Sequence, residues 1–471
     1  MNAHPTPTEK EIGALTFMCA ERLHRSGDTA FATGAAGMTA PRSSASYLIG
    51  KRRYLDTTPE FHEALREAHG SRIRPRCLCR PEGIEMYVAR QDFGFVIKRM
   101  PDSGQFHASD CHSYEPPASW SSLDSLMNHA IREDPRSGET MLNVAFTMSH
   151  RPPRTPSKDA SCESTPAPHP QCVKLTLLGL LQYLWHQAEL THWQPSFSGR
   201  RTWATVRRLL LHAAANKRIQ SRELTTHLFI PESFSVEQRG AIDSKRLAQW
   251  SGFISTQKTR PLMLLIAELK ALQRARFGYL AVVKHMPDQA FTLQEELYRR
   301  IERRFEAELE LWTSAPDLRL ILIATYWLSA TGIPKLETAA LMPVTPQWLP
   351  IDDRADLHLI RALLLEDRAF IKIQRYGLPT TSRTPCAVLT DTADAPVRLF
   401  IDRSTHSTNT STTGEKEANM SAPETNWSWQ LHAGEMPELP TARFNAPYEQ
   451  VHSSHCQPLE AHTPAAQERC P

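Results

Sequence analysis

RCLCRPEGIEMYVARQDFGFVIKRMPDSGQFHASDC, Arg76 to Cys111, opens with a C-x-C pair, Cys77 and Cys79, and closes with an H-x3-C pair, His107 and Cys111. Four thiolate and imidazole ligands that converge on a tetrahedron are what a structural zinc ion requires. The gap between the pairs is long for a short zinc finger, but its content closes it. Ile84, Met86 and Val88 alternate with Glu85, Tyr87 and Ala89, and then Phe93, Phe95 and Ile97 alternate with Gly94, Val96 and Lys98. That period of two predicts two strands about a turn at Arg90-Gln91-Asp92, a hairpin that returns the chain to its start. A hairpin of this size is marginal alone, so a Zn2+ clamp at its base would supply the missing stability. His107 and Cys111 would share one face if their segment makes a single helical turn. With all four positions filled, the pattern points to a structural ion and leaves no open place for catalysis; His112 is the reserve ligand. The alternative is that Cys77 and Cys79 are small apolar residues of a strand and that His107 and Cys111 sit on an ordinary loop.

The rest of the composition sets the frame for that site. A chain of 471 residues is long for a single core, and 35 prolines with 41% hydrophobic residues suggest folded parts joined by polar connectors. A net charge of +3 is too small to argue for nucleic acid by itself, so any such case rests on local clustering. MNAHPTPTEKEIGALTF has no basic start leading into an apolar run, and no window resembles a membrane span. The expected setting is cytoplasmic, with reduced thiols, where a close Cys/His cluster reads as metal binding before disulfide.

Along the chain, the pattern predicts a disordered extension over 1–45 and a β-rich zinc-hairpin module over 46–150, ending in the strand-like MLNVAFTMS. A Pro-rich linker follows at 151–171, then a helical basic segment at 172–256, with helices at KLTLLGLLQYLWHQAEL, Arg201 to Ala215 and Val236 to Trp250. From 257 to 403 the grammar is α+β. LMLLIAEL, FGYLAVVKHM, LRLILIATYWLS and KLETAALMPV read as strands. TLQEELYRRIERRFEAELELW reads as one helix, with Thr292 and Glu295 as a capping box and Leu293, Leu297, Ile301, Phe305 and Leu309 as its apolar stripe. A helix over Arg354 to Arg368 and the short strands FIKIQRY, CAVLT and VRLFI close that part. A low-complexity stretch at 404–425, a terminal strand in 426–440 and a disordered tail at 441–471 complete the expectation.

GRRTWATVRRLLLHAAANKRIQSR, Gly199 to Arg222, carries Arg200, Arg201, Arg207, Arg208, Lys217, Arg218 and Arg222 with no acidic residue. On a helix Trp203, Val206, Leu210 and Ala213 face inward and leave Arg200, Arg207 and Arg208 toward water, a patch that could meet phosphates. Its place among three short helices is compatible with a helix-turn-helix reader. The competing reading is a solvated cationic face balanced by acidic surface elsewhere.

Phosphate-binding, dinucleotide, zincin and nucleophile-elbow motifs are absent from the sequence. His186, His192 and His285 have no carboxylate partner nearby in sequence and read as surface or interface histidines. The helix-strand-strand-strand order toward the C-terminus resembles a PD-(D/E)xK nuclease core, whose carboxylates and lysine hold a divalent metal. Here Pro385 is followed by Cys386 where that core has aspartate, and Asp391 and Asp394 fall in a turn, so the core reads as degenerate.

RPRCLCRPEGIEMYVAR, VIKRMPDSGQFHASDCHSYEPP, LQYLWHQAELTHW, VVKHMPD, LYRRIERRFEAELELW, ALMPVTPQWLP and NWSWQLHAGEMPELP together resemble an uncharacterised bacterial family, domain of unknown function 1173, from Tyr47 to about Pro440. The resemblance implies association with plasmid-like or integrative elements and brings no activity. The expected role is a non-catalytic accessory protein that binds zinc and a partner, DNA or a nucleoprotein complex. A metal-dependent nuclease and a protein-binding scaffold are the alternatives.

Overall fold

Period-two alternation at the start of the chain becomes an antiparallel sheet. The computed structural model describes residues 45–91, 94–134, 137–150, 173–254, 260–377, 384–392, 395–403 and 426–443. The linker at 151–171, the stretch at 404–425 and Asp394 lie outside them, as do the expected extension at 1–45 except Ala45 and the expected tail at 441–471 beyond Arg443. Ser46–Ile49 (β1), Arg52–Leu55 (β2), Arg76–Cys77 (β3), Ile84–Gln91 (β4) and Gly94–Arg99 (β5) pair in the order β2-β1-β3-β4-β5. Helix Pro59–Ser71 (α1) starts on proline, ends at Arg72 in the left-handed region, and lays Phe61, Ala64, Leu65 and Ala68 on the sheet. The predicted hairpin forms, but its ladder runs on to Arg90↔Phe95 and Gln91↔Gly94 instead of turning at Arg90. Gly94, at φ +129, takes a conformation that side chains disfavour and lets the strand begin there.

Ile131–Glu133 (β6) and Thr140–Leu142 (β7) follow, and Ser149–His150 (β8) ends the N-terminal part, so the run MLNVAFTMS is strand only at its two ends. Helix Leu177–Gln187 (α2) has its Thr176 cap bonded to the Gly179 N–H and is buried on nearly every side. His192–Trp193 (β9) leads to helix Trp203–Ala214 (α3), capped by Thr202. Lys217–Ile219 (β10), Arg222–Glu223 (β11), the single turn Leu224–His227 (α4), Leu228–Phe229 (β12) and helix Arg239–Ser251 (α5) come next. Three predicted helices are therefore present, but strands separate α3 from α5, and the compact three-helix reader does not form. β10 joins β7 in parallel, so this segment shares a sheet with the N-terminal part.

Arg260–Pro261 (β13) pairs with β8. Met263–Arg274 (β14), Tyr279–Val283 (β15), Phe291–Leu293 (β16), Arg319–Leu328 (β17) and Pro334–Val344 (β18) then build a closed barrel. β14 pairs with β17 from Met263 to Leu269 and, past an irregularity between Leu269 and Ala271, with β15 as far as Arg274. That bulge bends one long strand so that it serves both sides of the barrel. β15 pairs with β16, β16 with β18 in parallel through Thr292↔Lys335, and β18 with β17, which leaves no free edge in the ring. Trp250 of α5 packs on the barrel residues Phe291 and Tyr326, the three buried rings 5.2–6.3 Å apart, with Phe291 edge-on to each of the other two.

Between β16 and β17 the expected single helix is two, Glu295–Arg304 (α6) and Glu306–Ser314 (α7), broken at Phe305. The apolar stripe holds in part: Leu297, Ile301 and Phe305 are buried, Leu293 is buried but in β16, and Leu309 is half-buried. The capping box does not form. Thr292 lies in β16 and its hydroxyl donates to the Pro334 carbonyl at 3.1 Å, while Gln294 caps the helix with its backbone alone. Strand pairing across the barrel outweighs a local cap worth about 1 kcal/mol.

Helix Arg354–Leu365 (α8) and the strands Phe370–Lys372 (β19), Ala387–Leu389 (β20), Val397–Asp402 (β21) and Asn426–Gln430 (β22) form the last layer, in the order β22-β21-β20-β19-β9. The run NWSWQL does return as a strand, parallel to β21. Its far edge, β9, comes from the central segment, and one apolar core runs from Leu126 and Ile131 through α2 and α3 into the barrel. All described residues belong to one unit, Arg42–Pro471. Among them no helix is long and apolar enough to cross a membrane.

Candidate metal centre

β3 carries Cys77 into the interior between Tyr47 of β1 and Ile84 of β4, its paired neighbours. The chain then leaves the sheet. Leu78 N–H bonds to the Ser46 carbonyl at 2.9 Å, and the Arg80–Gly83 turn places Cys79 on the same side as Cys77. The second pair comes from a different device than the expected helical turn. His107 is extended, at φ −69 and ψ 158, just after a 3-10 turn over Gly104–Phe106, and a separate turn bonds Cys111 N–H to the Ala108 carbonyl at 2.9 Å. Gly104 is required there, because a Cβ would lie 2.5 Å from that of Glu115.

The four ligands converge. Cys77 Sγ is 3.7 Å from Cys111 Sγ, Cys79 Sγ is 3.3 Å from His107 Nδ1, and Cys111 Sγ is 3.8 Å from the same nitrogen. A tetrahedral zinc ion with bonds of about 2.0–2.3 Å sets ligand atoms roughly 3.5–3.8 Å apart. All four atoms lie within 4.8 Å of one another, slightly looser than the roughly 4 Å a closed site demands. Cys77 and His107 are buried, and Cys79 and Cys111 half-buried. The Ser113 N–H donates to Cys111 Sγ at 3.3 Å, a contact that steadies a thiolate. With the Cys77 thiol donating to it, Cys111 is pulled down to about 4, while that same contact and burial push Cys77 up. Three thiols this close cannot all ionise without a cation among them. The donor set is soft and closed, and zinc suits it.

Cys111 packs against two cores at once. One holds Tyr47, Phe61, Leu65 and Met86 of the first sheet, and the other joins Tyr114 to Ile371, Ile373 and Val388 of the C-terminal sheet. Downstream, Glu115 bonds to His186 of α2 and lies 2.5 Å from Arg99. The cluster thus fastens the first sheet to a loop that is seated on the rest of the molecule.

The seven cations of the basic segment are not one surface. Arg201 is half-buried. It donates to the carbonyls of His192, Leu190 at 3.1 Å and Gln347 at 3.4 Å, and lies over Trp193 and Phe197; burial lowers it to about 10. Arg207 donates to the Ile230 carbonyl at 2.9 Å and pairs with Glu232 at 3.5 Å. Arg218 donates to the Ser221 carbonyl at 2.6 Å and faces Glu139, and Arg222, though exposed, reaches the Met148 carbonyl at 3.5 Å. Arg200 and Arg208 remain exposed.

Lys217 is 3% exposed, donates to Gln187 at 3.3 Å and lies over the Tyr183 ring, and burial lowers it to about 7. A lysine depressed in the fold binds its proton less tightly than in the unfolded chain, so its contribution to stability rises as pH climbs from about 7 toward its ordinary value. Lys217→Met is expected to raise the melting temperature at pH 7 and to flatten that rise. A lower melting temperature at pH 7 in a fluorimetric melt series would count against the burial argument.

Sequence reasoning missed the partners of the histidines. His186 bonds to Glu115, far away in sequence, and His285 Nδ1 accepts from the Phe234 N–H at 3.3 Å beneath Trp203. It also missed the buried Lys372 of β19, 3.2 Å from Asp352 and 3.4 Å from Asp356. Asp391, one of the nuclease candidates, accepts from Arg368 Nε and Nη2 at 3.0 and 2.8 Å and from the Ala369 N–H at 2.8 Å.

Neither a curated protein nor a solved structure matches this chain. A family model does match, over residues 47–432, and the chain therefore belongs to the family described as protein of unknown function (DUF1173).

Proposed function

We propose that the chain is a non-catalytic accessory protein whose Cys77, Cys79, His107 and Cys111 hold a structural zinc ion, and that it engages nucleic acid or a nucleoprotein partner. The observation that carries the zinc reading is the convergence of three thiols and one imidazole, all four within 4.8 Å. The full complement of protein ligands argues for a structural ion over a catalytic one. A cytoplasmic setting suits this reading, because the thiols must stay reduced. Service to a mobile genetic element is what the family resemblance implies. The nuclease alternative has less support, since Asp391 is engaged by the buried Arg368.

Purified chain should carry about one zinc ion, read by plasma mass spectrometry after dialysis against metal-free buffer. Cys79→Ser and His107→Ala should each lower that content, while Cys386→Ala, a buried cysteine outside the cluster, should leave it unchanged. Zinc content near zero in the unaltered chain after expression in zinc-supplemented medium would retire the reading.

A further inference from the structure

The barrel strands close in the order first-second-third-fifth-fourth, with the third and fifth parallel and helices inserted between the third and fourth. That is the topology of the small Greek-key barrels that bind oligonucleotides or oligosaccharides across their second and third strands, between the first-second and fourth-fifth loops. Topology alone assigns no ligand. The side chains on that face do.

Thr292 of β16 pairs with Leu280 on one side and Lys335 on the other, so the β14–β15 and β17–β18 loops flank a single strand. The first loop is tight: Ala275 N–H bonds to the Gly278 carbonyl at 3.0 Å. Gly278, at φ +78, sits where a Cβ would lie 2.5 Å from the Leu293 carbonyl oxygen, so the loop is held down on β16. At its tip Phe277 is 86% exposed, with the Arg276 guanidinium 5.4 Å from its ring centroid. The second loop presents Ile333 at 45% exposure. Beside it Lys335 and Arg260 lie over Trp327 at 5.1 and 4.3 Å. From Leu269 to Pro287 the chain, LKALQRARFGYLAVVKHMP, has no acidic residue and includes Lys270, Arg274, Arg276 and Lys284. Of the neighbouring charges, Glu337 pairs with His150 at 3.1 Å, Glu295 with Arg299 at 2.5 Å and Lys284 with the buried Glu268.

We infer that this face of the barrel binds single-stranded nucleic acid, with Phe277 as a stacking platform and Arg276 and Lys335 on the phosphates. An exposed aromatic needs an unpaired base to stack on, which a duplex does not offer. Arg274, Arg276 and Lys335 favour a phosphate backbone over a neutral sugar chain. The inference deepens the nucleic-acid part of the proposed function and rests on it, but it moves the contact from α3 to the barrel.

The test is fluorescence anisotropy of the full chain with a labelled 20-mer of thymidylate, a 20-mer RNA of mixed sequence and a 20-base-pair duplex, each at several salt concentrations. A single strand should bind more tightly than the duplex, with affinity falling as salt rises. Phe277→Ala should weaken it roughly 5- to 150-fold, the range for loss of one base stack. Arg276→Ala and Lys335→Ala should each reduce the salt slope by about 0.7. Because Phe277 is exposed, an unchanged melting temperature should show that its variant remains folded. Loss of binding in Arg200→Ala/Arg208→Ala, with Phe277→Ala and Lys335→Ala unaffected, would overturn the barrel assignment and leave the broader reading standing. Failure of all three probes to bind would overturn both, and binding that ignores salt would exclude the phosphate contacts.

Discussion

Cys77→Ser, or a strong chelator added to the unaltered chain, should lower the stability of the first sheet by about 4 kcal/mol or more. Isolated zinc modules owe on the order of 10 kcal/mol to their metal, because no preformed site exists in the unfolded chain. This module has support of its own, since α1 and the strands bury Tyr47, Phe61, Leu65 and Met86, so only part of that amount should be lost. What a zinc ion held by the cluster would add is closure. β3 is two residues long, and the loop carrying His107 and Cys111 reaches it through the cluster and a few hydrogen bonds, such as Arg80 to the Phe106 carbonyl at 2.8 Å. Without an ion, Cys77 and Cys111 would be a thiol and a thiolate in a partly buried site, and the loop bearing Tyr114 would lose that anchor. The readouts are a denaturant series with and without chelator and the appearance of proteolytic cuts between 100 and 115. An identical unfolding curve in both conditions, in a chain shown to have released its zinc, would show that the cluster contributes nothing to folding.

What could be read from the sequence was whatever depends on local periodicity or on residue type. The alternation on either side of Gln91 and Gly94 predicts the hairpin because strand faces have a period of two, and the spacing of Leu297, Ile301 and Phe305 predicts a buried helix face, although the stripe's first member, Leu293, ends β16 and its last, Leu309, is half-buried. The ligand set was legible because thiols and imidazole in two pairs have few other uses. Their local geometry was not. Nothing in QFHASDC distinguishes a helical turn from an extended His107 followed by a separate turn. The capping box misled because Thr292 has a partner on β18 that only the barrel supplies. Distance in sequence also hid the fate of the basic segment. Arg201 and Arg207 donate to carbonyls at Gln347 and Ile230, and the exposed Arg222 reaches the one at Met148, partners that no local reading of Gly199 to Arg222 could supply. Barrel closure was equally hidden, since it turns on a bulge in β14 and one parallel pair between β16 and β18.

Lys372→Met is expected to cost about 3–5 kcal/mol at pH 7, the range for removing one partner from a buried ion pair. β19 is buried at all three of its residues, and Lys372 is 1% exposed. Its ammonium donates to Asp352 at 3.2 Å and to the Ile373 carbonyl at 2.9 Å, with Asp356 3.4 Å away. Asp356 is fully buried; one of its oxygens accepts from the Asp352 N–H at 2.9 Å and the other has no hydrogen-bond partner among the described residues. Burial holds this carboxyl up at about 6 even with the lysine beside it. Between pH 4 and 6 the folded chain therefore keeps a proton that the unfolded chain has released, and the contribution of Asp356 to stability falls as pH rises through that window. Removing the cation pushes the carboxyl higher and extends the fall toward neutral pH. The penalty of Lys372→Met should accordingly shrink at pH 5, where Asp356 is protonated, and Asp356→Asn added to it should recover part of the loss at pH 7. Urea midpoints for the four proteins of this cycle at pH 5 and pH 7 decide the matter. A penalty that does not change with pH, or a double variant as weak as the sum of the singles, would mean that Lys372 is held by packing and not by its carboxylates.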